Sequence, residues 1–136
     1  MDDTDTNTQN ALFTVAKTLS NTAVYARATG TMQQQPITED FWEESVKQLN
    51  SGYLITLHTI KESWHHWERH SAGDEFIFVL SGNMDLLIQN DSTTRNRLSK
   101  GGFALLKRGA WHTVEVANPV EALFVTWGQS TEYREK

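Results

Sequence analysis

The chain has 136 residues, 38% of them hydrophobic, 21% charged and 10% aromatic, a composition that builds one compact domain with a real core and excludes a disordered or collagen-like chain. Its 17 acidic against 12 basic residues give a formal net charge of −5, which argues against electrostatic capture of nucleic acid or anionic membrane. Cysteine is absent, so disulfides, thiolate nucleophiles, zinc ribbons and iron–sulfur clusters are excluded together, and any metal must be held by histidine and carboxylate.

Residues 1–10 are acidic and polar without apolar periodicity, and are expected to form a disordered tail ahead of a single domain over 11–136. That segment does not read as a signal peptide, and no apolar run approaches the roughly 18 residues of a spanning helix. A cytoplasmic protein with no membrane partner is therefore expected. Between Ala11 and Gly30, short apolar pieces (Leu12, Phe13, Val15; Ala23, Val24, Tyr25) predict one or two edge strands. Pro36–Asn50 predicts the one short helix: Thr38 as N-cap, Glu39 and Asp40 in the first turn, Lys47 near the end, Gly52 as the stop, with Phe41, Trp42, Val46 and Leu49 on one face.

After Gly52 the apolar period changes to two, and turn residues recur every 8–12 positions. Strands are predicted near Tyr53–Ile60, Trp64–His70, Glu75–Leu80, Met84–Gln89, Phe103–Lys107, Trp111–Val116 and Ala122–Gly128, with Gly73-Asp74, Ser81-Gly82-Asn83, the polar stretch Asn90–Asn96, Gly101-Gly102, Gly109 and Asn118-Pro119 as turns. This is the rhythm of an antiparallel jelly roll with a lumen at one end. Alternation puts His66, Glu68 and His70 on one strand face and His65, Trp67 and Arg69 on the other. An antiparallel return through Gly73-Asp74 would bring Glu75 beside His70, and His112 opens a later strand. Imidazoles and carboxylates converging on an apolar lumen are costly to bury unless they pair or ligate a cation.

The spacing of these residues resembles the cupin superfamily. The first cupin motif, Gly-x5-His-x-His-x3-4-Glu-x6-Gly, is matched from its second His onward by His70, Glu75 and Gly82, and the second, Gly-x5-Pro-x-Gly-x2-His-x3-Asn, by Gly101, Gly109 and His112. The two motifs fall at about residues 68–82 and 101–116. Glu68 stands where the first His is usual, Lys107 replaces the Pro and Val116 the Asn. The runs 67–75, 107–112 and 128–134 are also similar to small bacterial single-domain cupins without an assigned reaction. The resemblance implies an all-β, cupin-type double-stranded β-helix, a jelly-roll barrel carrying the one N-terminal helix. It also implies a divalent-metal site made of Glu68, His70, Glu75 and His112, for iron, manganese, nickel or zinc. Should Glu68 turn away, the other three form a two-His, one-carboxylate triad suited to iron(II) oxygenases.

The expected function is that of a metal-dependent enzyme on a small organic substrate, with a dioxygenase favoured and Glu68 as ligand or catalytic base. A non-catalytic small-molecule binding or sensor domain is the alternative, and a scaffold whose motif residues merely hydrogen-bond is a third reading. His66 is read as a proton-transfer group or a rim residue, and His58 and His65 as ordinary strand or surface positions. Trp64, Trp67, Trp111 and Trp127 are read as core or rim residues that could also line a pocket, and Arg108 and Arg134 as solvated unless they receive a substrate carboxylate. Phe76, Phe78 and Leu80 lie out of phase with Glu75 and face outward, so a helix, the N-terminal strands or a second subunit must cover them. A homodimer is expected.

Overall fold

The computed structural model describes residues 12–16, 18–42, 51–128 and 130–136. Among the described residues, eleven strands form two antiparallel sheets. They are β1 (Thr22–Arg27), β2 (Met32–Pro36), β3 (Gly52–Ile60), β4 (His66–His70), β5 (Glu75–Ser81), β6 (Asn83–Gln89), β7 (Thr93–Ser99), β8 (Phe103–Leu106), β9 (Trp111–Glu115), β10 (Val120–Trp127) and β11 (Thr131–Glu135). The six-stranded sheet has the order β2-β1-β3-β10-β5-β8 and the five-stranded sheet β11-β4-β9-β6-β7. The seven strands predicted between Tyr53 and Gly128 all form, because each hides one face and so alternates in sequence.

Three strands, β2, β7 and β11, escape that signal. β7 lies where the polar stretch Asn90–Asn96 was expected to be turn. It is an exposed edge strand whose only half-buried side chain is Leu98, and it is held by Arg95 and Arg97 on Asp85 and by Arg95 on Glu115. β11 is similarly exposed. In the N-terminal region, Ala23, Val24 and Tyr25 fall in β1, whereas Leu12, Phe13 and Val15 belong to no strand and are exposed. The expected tail 1–10 and residues 43–50 of the expected helix Pro36–Asn50 lie outside the described residues. In the part that is described, Pro36 ends β2 rather than starting a helix, and Phe41 is buried against Ala23, Tyr25 and Leu54. No helix among the described residues is long and apolar enough to cross a membrane.

The main core lies between the sheets, with Ile77 and Val79 of β5, Met84 and Leu86 of β6, Val114 of β9 and Phe124 of β10 all buried. The Gly73-Asp74 turn does not make the expected hairpin. β4 and β5 belong to opposite sheets, so the turn carries the chain across the sandwich and Glu75 meets His70 face to face instead of as a strand neighbour. That crossing is flush with the core: a Cβ on Gly73 would lie 2.5 Å from Trp127 Cγ, closer than any side chain tolerates. The turn is clipped to the β8–β9 loop, where the Arg108 amide donates to Asp74 Oδ1 at 2.8 Å and the Gly109 amide donates to the His70 carbonyl at 2.9 Å. Gly109 sits at φ 87°, a left-handed conformation that a glycine adopts without penalty.

Candidate metal centre

Glu68 and His70 come from β4 and His112 from β9, with Glu68 and His112 directly opposed in register. Glu75 reaches them from β5 in the other sheet. Their donor atoms lie within 4.8 Å of one another, an arrangement that could hold a metal ion. His70, Glu75 and His112 are buried, and the Glu68 side chain is 14% exposed. Glu75 Oε1 is 3.1 Å from His112 Nε2 and Glu75 Oε2 is 3.3 Å from His70 Nε2, while Glu68 Oε1 is 3.5 Å and 3.6 Å from the same two nitrogens. These approaches lack hydrogen-bond direction: His70 Nε2, His112 Nε2 and Glu75 Oε1 are buried without a hydrogen-bond partner.

The remaining atoms of the same side chains are engaged. His112 Nδ1–H donates to the Ala110 carbonyl at 3.1 Å, which leaves the Nε2 lone pair of the neutral ring facing the cluster. His70 Nδ1 is 3.0 Å from Thr131 Oγ1, and Thr126 Oγ1 donates to Glu75 Oε2 at 2.6 Å. Outer partners of this kind fix the tautomer and orientation of metal-ligating side chains. Three bare donor atoms converging at one buried point therefore fit a divalent cation, which would satisfy them all. Without one, burial opposes every charge in the cluster, and the neighbouring opposite charges outweigh it. They raise His70 to about 9 and His112 to about 10, and lower Glu75 to about 2 and Glu68 well below the usual carboxylate range.

The four predicted ligands are thus together. His66 shares their face, its Nε2 3.3 Å from Glu68 Oε2 and its side chain 40% exposed, and His65 is exposed on the surface. The possible partners of Glu68 on the surface are taken, Arg69 by Glu132 and Lys107 by Asp74. Of the tryptophans, Trp64 and Trp127 line a cavity in front of the cluster, whereas Trp67 and Trp111 lie on the opposite sheet face with Arg134 stacked on both. Neither Arg108 nor Arg134 is among the described residues lining the cavity.

His58 lies on β3 as a strand position, and its side chain also faces the cavity. It lines the cavity with Thr56 from β3, as do Phe124 and Thr126 from β10 and Tyr133 from β11. The period-two phase of Leu54, Thr56, His58 and Ile60 was a usable signal for His58. For Thr131 and Tyr133 there was none, because β11 has no buried face to mark it.

No curated protein sequence matches the chain. Among solved structures, a cupin-2 domain protein from Shewanella frigidimarina is similar at 16% identity and TM-score 0.49, over 55% of this chain and 70% of that one. The oxalate decarboxylase of Bacillus subtilis, with its Mn(II) centres, is similar at 14% identity and TM-score 0.53, over 65% of this chain. The likeness spans only 25% of the decarboxylase, and at these identities it speaks for the fold alone. The Cupin domain family matches residues 55–127, a span that runs from β3 to the end of β10 and contains all four clustered side chains. On that match and on the two-sheet architecture, the chain belongs to the cupin family.

Proposed function

We propose that the protein is a metal-dependent enzyme acting on a small organic molecule, with dioxygenase chemistry the first reaction class to examine. The observation that carries this reading is the convergence of three buried, unbonded donor atoms at one point beside a cavity. In a scaffold without an ion, each such atom would cost about 1–3 kcal/mol. His70, Glu75 and His112 would hold the ion and Glu68 would complete its shell. Two imidazoles and two carboxylates suit iron, manganese, nickel or zinc. When bound, such an ion supplies a Lewis-acid or oxygen-activating centre.

Glu68 is the most exposed of the four side chains, and should it turn away from the ion instead of completing its shell, it is the group assigned to accept a proton from a bound ligand. His66, within 3.3 Å of it and open to solvent, is assigned to pass that proton outward. A binding or sensor role without turnover is the second reading, favoured by a glutamate standing at the position where cupins usually carry a histidine.

Metal content of untagged protein purified without chelator tests the proposal, with Glu75→Gln and His112→Ala alongside. Near-stoichiometric metal in the parent and at least a tenfold loss in both variants is expected. Equal metal in parent and variants would overturn the metal reading. Oxygen uptake with enediols, diketones and thiols then tests the oxygenase reading: uptake with one of them supports turnover, and uptake with none by the loaded protein counts against oxygenase chemistry on these classes.

A further inference from the structure

The cavity in front of the cluster has a volume of about 610 Å³, within the range of small-molecule pockets. Among its described lining residues the only side chains with a fixed charge are Glu68 and Glu75; no lysine or arginine is present. A divalent ion would balance those two carboxylates and leave no positive charge to receive an anionic substituent. The nearby arginines of the five-stranded sheet are committed elsewhere: Arg69 is bidentate to Glu132, and both Arg69 and Arg134 stack on Trp111 on the opposite sheet face. A carboxylate placed in the cavity away from the cluster would lose its hydration without gaining a cationic partner among the described lining residues.

What the cavity offers instead is a continuous arc of flat rings. His66 stacks on Trp64 at 5.4 Å, Trp64 lies 6.1 Å from Phe124, Phe124 meets His58 at 4.8 Å, and Trp42 covers His58 at 5.4 Å. Within that arc His58 is the polar exception on the six-stranded side. Its Nε2 is 2.9 Å from Thr56 Oγ1, and Thr56 is itself buried. Burial lowers the His58 pKa against the opposing pull of Glu68 and Glu75, so the ring is neutral. The Thr56 hydroxyl can donate or accept, so the neutral ring can present either a donor or an acceptor at Nδ1. No hydrogen bond at Nδ1 is formed among the described residues.

We propose that this cavity binds an uncharged, planar ring compound carrying two oxygen substituents, one directed to the Glu68–His70–Glu75–His112 cluster and the other to His58, with the ring against Trp64 and Phe124. His58 is thereby a specificity-determining residue. The contact with the cluster and the exclusion of an anion rest on the metal-site reading given above; the His58 contact and the preference for a planar ring do not.

The test is a calorimetric titration of the purified full chain, both zinc-loaded and chelator-treated, with catechol, benzoate, trans-1,2-cyclohexanediol and oxalate. Catechol is expected to bind at least tenfold more tightly than the planar anion, the puckered diol or the dianion. His58→Ala is expected to weaken catechol about tenfold, the worth of one hydrogen bond, with zinc content unchanged. His58→Gln, which keeps a donor and an acceptor, is expected to recover most of that loss, and its melting temperature guards against a merely unfolded variant. Benzoate or oxalate binding as tightly as catechol, or catechol affinity unchanged in His58→Ala, would overturn the proposal. If the parent takes up no zinc, the metal-site reading fails by itself, and the same contrasts in the metal-free protein still decide the role of His58.

Discussion

His112 shows how one main-chain contact sets the chemistry of a ring. Because Nδ1 must donate to the Ala110 carbonyl, the neutral ring presents Nε2 as a lone pair, in a pocket where Glu75 and His70 also present unbonded atoms. The same ring is protonated while only carboxylates face it, and ligation needs it neutral. Two pH effects follow. In chelator-treated protein, His70 and His112 are raised from 6.5 to about 9 and about 10, so their contribution to stability is full below about pH 6.5 and is lost as pH rises through 9 to 10. Glu75 is lowered from 4.5 to about 2, so its contribution is present above about pH 4.5 and is lost as pH falls toward 2. Melting temperature against pH is therefore expected to plateau between about 4.5 and 6.5 and to fall on both sides. Zinc binding at pH 7 is expected to release close to two protons per ion, seen as a dependence of the binding heat on the ionisation enthalpy of the buffer. A heat independent of buffer would contradict the protonated-pair description.

At the scale of elements, β11 links the C-terminal segment to the site. Its pairing with β4 sets Thr131 against His70 and Tyr133 against Glu68, and it covers a strand that would otherwise be an exposed edge carrying two of the four clustered groups. Thr131→Val removes the 3.0 Å contact to His70 Nδ1 while keeping the shape of the side chain. It is expected to weaken zinc affinity by about 10- to 100-fold, the usual effect of losing an outer partner of a metal ligand, with the fold intact by circular dichroism. Unchanged affinity would show that the ring is held by packing alone. β11 was hidden in the sequence for the reason that β7 was: a strand with both faces wet has no alternation to read, whereas β5 announces itself through Glu75, Ile77 and Val79 in one phase. The β4–β5 turn was legible as a turn but not as a crossing between sheets, because Gly73-Asp74 fits a hairpin equally well and only the packing of Trp127 against Gly73 decides.

At the scale of the molecule, the outer face of the six-stranded sheet carries two cross-strand rows of apolar side chains, Ile55–Val125–Phe76–Leu105 and Leu57–Leu123–Phe78–Phe103. Phe76 and Phe78 face outward as their phase predicts, Phe103 and Leu105 are 57% and 61% exposed, and Leu80 is 41% exposed. The rows end at β8, an edge strand with neither charge nor proline to discourage pairing. We propose that a second copy covers this face. A bare edge strand can pair antiparallel with its own copy about a two-fold axis, extending both sheets and burying both aromatic patches in one self-complementary contact. Light scattering after gel filtration is expected to give twice the 15.5 kDa chain mass, and Phe103→Glu with Leu105→Lys to return it to the single-chain value. A 15.5 kDa species for the parent at micromolar concentration would refute the dimer. By itself, the sequence determined the all-β class and the strands that hide one face, because burial leaves a periodic trace in the chain, and its resemblance to the two cupin motifs implied the four side chains of the cluster. Only the tertiary structure decided that Glu75 faces the other three from the opposite sheet, that β11 closes the site, and that His58 looks into the same cavity. Those facts depend on which strand lies opposite which, and strand pairing between residues distant in sequence leaves no local pattern to read.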